Sequence, residues 1–150
     1  MRAVIQRVSH ASVTIDNVLN GKIHLGLLIL LGIESNDTQD DIEWLVNKIS
    51  NMRIFSDEDD KMNLSIIDVK GSFLVISQFT LHASTKKGNR PSFIKAARPD
   101  QAIPLYEQFC KKLGDKSGLS VETGIFGADM KVELLNDGPV TIIIDSQRKE

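Results

Sequence analysis

The tightest limit on the fold comes from the stretch KIHLGLLILLGIE, residues 22–34. Residues 27–31 are apolar at every position, so both faces of a strand built from them would be apolar. A short apolar run with no polar alternation is typical of a strand buried on both sides. The sequence therefore predicts a sheet in which this strand is covered from two directions.

Two segments have the apolar periodicity and the end signals of helices. The first lies within residues 36–55, where Asn36, Asp37 or Thr38 is a candidate cap. The second lies within residues 98–118, begins at Pro99 and Asp100, and ends at Gly114 or Gly118. The apolar faces, at helical spacing, are Ile42, Leu45, Val46 and Ile49 in the first helix and Leu105, Phe109 and Leu113 in the second.

The remaining strands are predicted from alternating or apolar segments. Residues 3–16 form one strand with a break or two strands, and residues 71–81, GSFLVISQFTL, form another. Residues 130–145 are expected to form two strands around a tight NDGP turn. No repeating strand–helix–strand pattern is present, and a chain of 150 residues is most simply one domain. The prediction is a single α+β domain, residues 1–150, with a mostly antiparallel, β-barrel-like sheet and two main helices.

Composition limits the compartment and the partners. Cys110 is the single cysteine, so no internal disulfide is possible, and it lies in a predicted helix where a packing role is favoured. The N-terminal segment has no signal-peptide pattern, and the longest apolar run is far too short to span a membrane. A cytoplasmic protein is expected. The net charge of −2 argues against a general polyanion binder but leaves room for a local basic face.

Metal and cofactor sites are not predicted. The three histidines, His10, His24 and His82, have no ligand partners at close spacing, which argues against zinc. The acidic stretch at residues 57–61 resembles the start of a calcium loop but lacks its glycine and its final glutamate, so a solvated turn is favoured. Nucleotide-binding glycine loops and the nucleophile-elbow motif are absent from the sequence.

The stretch VISQFTLHAS, residues 75–84, is the first candidate for chemistry. It places the hydroxyls of Ser77 and Thr80 and the carboxamide of Gln78 within four positions of an otherwise apolar strand. A threonine nucleophile needs an activating base, and none is evident within this stretch. Phe79 is open to two interpretations, a core aromatic or a ring that stacks on a ligand.

Two further segments are candidates. Residues 82–98 contain no acid and five cations, which fits either a solvated loop or a grip on a phosphate backbone: Lys86, Lys87, Arg90, Lys95 and Arg98. In NDGPV, residues 136–140, Pro139 cannot donate a hydrogen bond to a strand ladder. A hairpin turn is the simplest interpretation of that segment.

Five motifs occur together in one order: IQRV, RIFSD…KMN, SQFTL, RPSF and NDGPVT. In this combination, over essentially the whole chain, the sequence closely resembles the D-aminoacyl-tRNA deacylases. The resemblance implies an enzyme that hydrolyses the ester between a D-amino acid and tRNA, and that also acts on glycyl-tRNA(Ala). It further implies a cytoplasmic homodimer that uses no metal or cofactor, with a barrel-like α+β fold.

The resemblance also implies roles for individual residues. Ser77, Gln78, Phe79 and Thr80 would line the aminoacyl-adenosine pocket, with Thr80, Gln78 and the Phe79 N–H as the catalytic groups. The pair Gly138–Pro139 would be a cross-subunit Gly–cisPro motif that enters the partner's pocket, held in place by Arg7. The five cations would contact tRNA phosphates.

Several alternatives stay open at this point. Thr80 either attacks the ester itself or leaves the attack to water assisted by the ribose 2′-hydroxyl, with backbone N–H groups holding the carbonyl; the resemblance favours the second mechanism. A general esterase or amidase acting on free D-amino-acid esters is a second enzymatic hypothesis. A tRNA- or DNA-binding module without activity is a third, although intact SQFTL and Gly-Pro elements argue against it. A relative specialised for glycyl-alanine-tRNA is disfavoured because the motifs match without substitution.

Overall fold

The computed structural model describes residues 1–149. Within that range the chain forms eight strands, two α-helices and one 3-10 turn. In chain order the elements are β1 (Arg2–Ile15), β2 (Val18–Ile23), β3 (Gly26–Gly32), α1 (Gln39–Asn51), β4 (Phe55–Ser56), β5 (Met62–Leu64), β6 (Ser72–Ser77), the 3-10 turn (Phe79–His82), α2 (Pro99–Ser117), β7 (Val121–Thr123) and β8 (Met130–Asp145).

Strand β1 is the hub of the main sheet. One of its edges pairs antiparallel with β8 along its length, and the other pairs with β3 and then with β2. Beyond β3 the sheet continues through β6 to β7, and both of those pairings are parallel. The two edge strands of this sheet, β2 and β7, approach each other: the Asn20 side-chain amide in β2 donates to the Thr123 carbonyl in β7 at 2.7 Å. The sheet is therefore barrel-like and nearly closed.

The predicted α+β class with two main helices is confirmed, and the strand directions agree with the prediction in part. The expectation of a mostly antiparallel sheet holds only in part, since β3, β6 and β7 run parallel to one another. The parallel step between β3 and β6 requires a long crossover, and α1 with the β4–β5 hairpin supplies it. A second parallel crossover, through α2, joins β6 to β7, so the expectation of no repeated strand–helix–strand pattern is wrong. The β4–β5 hairpin and the long loop before α2 separate the strands from the helices and hide that repeat in the sequence.

The apolar strand β3 separates two cores. Leu27, Ile29 and Leu31 face the core shared with both helices. Leu28 faces the opposite way, into the barrel interior with Leu74 of β6. All four of these leucine and isoleucine side chains on β3 are at most 1% exposed, so the prediction of a strand buried on both sides is confirmed.

The segment NDGP lies in a bulge within one strand. The predicted two strands around a hairpin turn are wrong, because β8 runs from Met130 to Asp145 and pairs with β1 on both sides of this segment. Gln6 pairs with Thr141 and Val8 with Asn136, so residues 137–140 loop out opposite Arg7 alone. Turn-forming residue types also satisfy a bulge, where unpaired residues bend a strand without reversing it.

Helix ends follow the local signals. At the start of α1, the Thr38 N–H donates to the Asp41 carboxylate at 2.7 Å, the reciprocal half of a capping box. Helix α2 begins at Pro99 and is capped by Gly118, whose φ of 71° lies in the left-handed region. Neither helix is long and apolar enough to cross a bilayer among residues 1–149.

Candidate functional site

A cavity of about 270 Å³ opens where the parallel strands β3 and β6 end. The carboxyl ends of parallel strands meet at one edge of a sheet, a common position for ligand sites. Its lining is mostly apolar and comes from β3, β6, the start of α2 and the segment before β8: Leu31, Ile33, Ile76, Ser77, Gln78, Phe79, Ala97, Ala102, Phe126, Gly127, Ala128, Asp129, Met130 and Val132. An apolar cleft with a few polar groups is the usual form of a small-molecule site.

Three of the predicted site residues, Ser77, Gln78 and Phe79, line this cavity. The strand prediction for SQFTL needs a correction, because β6 ends at Ser77 and a 3-10 turn follows. The Gln78 N–H still donates to the Leu31 carbonyl at 2.8 Å, so Gln78 is the last residue of this segment with a backbone hydrogen bond to β3. The turn then carries the Phe79 ring outward, and the residue is 54% exposed.

Thr80 is exposed on the 3-10 turn and does not line the cavity. Its hydroxyl accepts a hydrogen bond from the Gln78 side-chain amide. The turn's own bonds begin with the Leu81 N–H, which donates to the Gln78 carbonyl. The N–H groups of Phe79 and Thr80 therefore precede the first intrahelical bond, as in every helix start, and are free to bind an acceptor.

The histidine nearest to Thr80 points into the protein. His82 Nδ1 lies 3.0 Å from the Glu34 carboxylate, and the imidazole is 1% exposed. A side chain at residue 32 would bring its Cβ within 2.9 Å of His82 Nε2, so Gly32 makes room for the ring. His82 is therefore packed against β3 and Glu34, and it supplies no base to the exposed Thr80 hydroxyl.

Sequence reasoning missed one wall of the cavity, residues 126–130 (FGADM). This segment links the short strand β7 to β8, and its one local signal is Gly127 at a φ of 78°. The Phe126 ring packs edge-on against Tyr106, with the centroids 6.1 Å apart, and the Tyr106 hydroxyl donates to the buried Val75 carbonyl. These contacts fix the wall to α2 and β6.

Cys110 is a structural residue in this arrangement. Burial raises the pKa of its thiol to about 12, so the reactive thiolate is scarce at neutral pH. Burial likewise raises the pKa of Tyr106 above its ordinary value. Both side chains belong to α2 and stabilise its packing on the sheet.

Arg7 lies beneath the bulge of β8 and is 8% exposed. Its Nη1 donates to the Ile54 carbonyl at 2.7 Å, and its Nε donates to the Asp137 carbonyl at 2.9 Å. The Asp137 carboxylate also lies 3.4 Å from Nε. The next two residues, Gly138 and Pro139, are exposed, and the peptide bond between them is cis.

Side-chain hydrogen bonds hold the two ends of the bulge together. The Asn136 Oδ1 accepts from the Val140 N–H at 2.9 Å, across the exposed Gly138–Pro139 pair. The Asn136 and Gln6 amides both donate to the Thr141 hydroxyl, at 3.1 and 3.2 Å. Gln6 and Asn136 were not predicted as site residues.

The bulge and the cavity lie apart on one chain. Arg7 pairs with Leu27, whereas Ser77 pairs with Leu31, four residues further along β3. At about 3.3 Å per residue, that offset is about 13 Å along the strand. Gly138, Pro139 and Arg7 are accordingly outside the cavity lining.

The five predicted phosphate contacts lie on an exposed loop between the 3-10 turn and α2. Lys86, Lys87 and Arg90 are at its tip, and Lys95 and Arg98 are near its base. None of the five forms an ion pair with a carboxylate in residues 1–149, so all are available to an external anion. Over the same part of the chain, no cluster of three or more histidine, cysteine or acidic side chains is arranged to hold a metal.

Comparison with known proteins places the chain in a family. A profile described as D-Tyr-tRNA(Tyr) deacylase matches residues 4–145. A protein named D-aminoacyl-tRNA deacylase from Parabacteroides distasonis is 66% identical over 150 residues, covering 100% of both chains. One with the same name from Flavobacterium johnsoniae is 63% identical over 150 residues, with the same coverage.

Two solved structures share the fold. One, named c-Myc DNA Unwinding Element Binding Protein, has a TM-score of 0.91 and 42% identity, covering 97% of this chain and 98% of its own. The other, described as a probable eukaryotic D-amino acid tRNA deacylase, has a TM-score of 0.82 and 17% identity, covering 95% and 97%. At that lower identity the likeness concerns the fold alone.

Proposed function

Because the chain belongs to the D-Tyr-tRNA(Tyr) deacylase family, we propose that it is a hydrolase that cleaves the ester between a D-amino acid and the terminal ribose of tRNA. The products are the free D-amino acid and reusable tRNA, and the role is quality control in translation. The observation that carries the proposal is the cavity at the end of β6, walled by Ser77, Gln78 and Phe79. It offers an apolar pocket beside the backbone N–H groups of Phe79 and Thr80, which start the 3-10 turn and precede its first internal hydrogen bond.

The chemistry favoured here uses the backbone. The N–H groups of Phe79 and Thr80 would bind the ester carbonyl and stabilise the oxyanion that forms when water attacks. The neighbouring ribose 2′-hydroxyl of the substrate would assist that water, and the 3′-oxygen would leave with a proton. Thr80 is a weaker nucleophile candidate, because its hydroxyl meets an amide rather than a base.

Selection of the D-enantiomer is assigned to the bulge of a second copy of the chain. The exposed main chain at Gly138 and Pro139 would enter the partner's cavity, where its carbonyls accept hydrogen bonds from the substrate ammonium group. An L side chain would then meet the backbone, whereas a D side chain would project away from it. The separation of about 13 Å along the strand on one chain, given by the register of Arg7 and Ser77, supports action between subunits.

Discrimination by backbone alone has a consequence for glycine. Glycine has no side chain to be excluded, so glycyl-tRNA(Ala) would also be a substrate. Because the backbone makes the selection, the proposed site does not distinguish one D side chain from another. The proposed enzyme is thus broad for D-amino acids and strict against L-amino acids.

The proposed partners follow from the surface. The five cations of residues 86–98 would bind acceptor-stem phosphates, and this electrostatic grip makes tRNA the substrate in preference to a free ester. The proposed enzyme is a cytoplasmic homodimer that acts without a metal or cofactor. Residues 1–150 form its one deacylase domain.

A second candidate function, binding of DNA without hydrolysis, is favoured by the name of one structural relative, which is 42% identical. The basic loop suits either nucleic acid. A pure binder, however, has no use for an apolar cavity of about 270 Å³ beside the loop. Hydrolysis is therefore the better account of this surface.

The test is a comparison of substrates for the purified protein. Release of D-tyrosine would be followed from D-tyrosyl-tRNA and from D-tyrosine ethyl ester at equal concentration. The proposal expects cleavage of the tRNA ester at least about tenfold faster, because the phosphate grip contributes to binding. Equal rates would indicate a general esterase, and cleavage of neither would favour the DNA-binding alternative.

A further inference from the structure

An apolar patch lies at the mouth of the cavity, and the chemistry above uses only the backbone N–H of one of its residues, not the exposed side chains. It consists of Phe79, Phe93 and Ile94, called here the aromatic platform. The rings of Phe79 and Phe93 meet edge to face, with the centroids 5.1 Å apart and the planes at 74°. Phe79 is 54% exposed and Ile94 is 91% exposed. Such exposed apolar groups contribute little to folding, and clusters of them commonly mark interaction sites.

The platform is fixed in place by backbone pairing on both sides. Before it, Ser84 and Ser92 exchange hydrogen bonds of 2.8 and 2.9 Å, which closes the basic loop into a hairpin-like excursion. After it, the Ala97 N–H donates to the Ile33 carbonyl at 2.9 Å. Phe93 and Ile94 therefore lie between two anchors and are held beside the cavity, although they belong to a long loop.

The order of features along the surface is continuous. Phe79 is a wall of the cavity and, at the same time, the partner of Phe93. Ile94 follows directly, flanked by Lys95, and the cations Lys86 and Lys87 lie at the tip of the same loop. A chain that leaves the cavity past Phe79 would next meet Phe93, which belongs to the same loop as the cations.

We propose that the aromatic platform stacks the unpaired bases immediately upstream of the terminal adenosine of the RNA 3′ end, which brings the phosphates that follow, up to the acceptor stem, to the loop cations. Alternation of exposed aromatics with a basic track is how proteins bind single-stranded nucleic acid without reading its sequence. This inference rests on the proposed function and extends it from the terminal nucleotide to the nucleotides next to it.

Charge argues for RNA rather than protein as the occupant. Residues 82–98 hold five cations and no acid. Lysine is depleted in protein–protein interfaces, whereas single-stranded nucleic acid pairs stacking surfaces with lysine and arginine. A second copy of this chain is the competing occupant, and the experiment separates the two.

The kinetic test compares a minimal substrate with an extended one. D-Tyrosyl-adenosine carries the terminal nucleotide alone, and a D-tyrosyl RNA minihelix ending in CCA adds the upstream bases. Ile94→Ser and Phe93→Leu are expected to raise KM for the minihelix at least about fivefold more than for D-tyrosyl-adenosine. Val18→Ser, which replaces an exposed apolar residue on β2, is the matched control and is expected to change neither KM.

A binding arm is independent of catalysis. Fluorescence anisotropy would compare the uncharged minihelix with one trimmed of its single-stranded end. The wild-type protein should bind the intact RNA more tightly, and Ile94→Ser and Phe93→Leu should abolish that difference. If the wild-type protein cleaves neither substrate, the proposed function fails while this arm still decides the fate of the platform.

Three results would overturn the inference. Equal KM changes for both substrates would place Phe93 and Ile94 in the cavity alone, and unchanged KM for both would leave the platform without a role in binding RNA. Dissociation of the Ile94→Ser protein into monomers, measured by sedimentation, would show that a second copy covers the patch.

Discussion

The Nε of Arg7 donates to the main-chain carbonyl of Asp137 at 2.9 Å, and so fixes the residue that directly precedes Gly138. The same guanidinium reaches the Ile54 carbonyl at 2.7 Å with Nη1. One buried cation thus ties the bulge of β8 to the segment that follows α1. Two carbonyls at a fixed angle suit the planar fork of arginine and do not suit a lysine ammonium.

Replacement of Arg7 by lysine is expected to loosen the bulge while the net charge stays the same. Loss of one carbonyl contact leaves a buried acceptor without a partner, at a free-energy cost on the order of 1.4 kcal/mol. A cost of that size corresponds to a tenfold change in an equilibrium constant. Deacylation of D-tyrosyl-tRNA should fall at least about tenfold. Arg53→Lys is the matched control, because Arg53 makes an exposed contact with Asn63, and its activity should be unchanged. Full activity in Arg7→Lys would contradict the assigned role.

A methyl group at Gly138 is expected to disable the bulge. A Cβ there would lie 2.8 Å from Val140 Cγ2 and 3.1 Å from Arg7 Nη2, at a φ of 137° that side chains rarely adopt. The Gly138→Ala protein should lose most of its activity on D-tyrosyl-tRNA. Gly118→Ala controls for a positive φ alone, since nothing lies within 4 Å of its Cβ position. That control should lose about 1 kcal/mol of stability and keep its activity.

Removal of the Thr80 hydroxyl separates the two mechanisms. If backbone N–H groups and the substrate 2′-hydroxyl carry the reaction, kcat of Thr80→Ala should stay within about tenfold of the wild-type value. The removal of an essential catalytic group lowers kcat by much more. Thr85→Ala, a nearby exposed threonine, serves as the control. Near-complete loss of activity in a folded Thr80→Ala protein would instead identify Thr80 as the nucleophile.

Salt should weaken the binding of tRNA but not that of a free ester. Each phosphate contact with a single strand contributes a slope of about −0.7 to a plot of log affinity against log salt. Replacing both Lys86 and Lys87 by Gln removes two contacts and should reduce the magnitude of the slope by about 1.4. Lys111→Gln with Lys116→Gln, on the exposed face of α2, is the control and should leave the slope as it is. A salt-independent KM for tRNA would contradict the phosphate role of the loop.

The elements that the sequence predicted well are those with local causes. Helix α1 follows from its cap and the spacing of Ile42, Leu45 and Ile49, and its core face is fully buried. Strand β3 follows from its unbroken apolar run. The end of α2 follows from Gly118, which is suited to the left-handed conformation of a C-cap.

The features that it missed depend on distant partners. NDGP has turn residues, but only pairing of β8 with β1 on both sides decides that it is a bulge. The three-residue strand β7 is too short for any periodicity, and it exists because β6 offers it an edge. The cavity wall at residues 126–130 has no chemical signature, since it comes to the cavity through the packing of Phe126 on Tyr106. The motif SQFTL was recognised, but its change from strand to turn after Ser77 was not.

The most direct test of the whole account is the ratio of initial rates for D-tyrosyl-tRNA and L-tyrosyl-tRNA with the purified protein. A backbone that excludes L side chains predicts cleavage of the D-form at least about 100-fold faster, equivalent to about 2.7 kcal/mol of discrimination. Equal rates for the two enantiomers, or no cleavage of the D-form, would contradict the account.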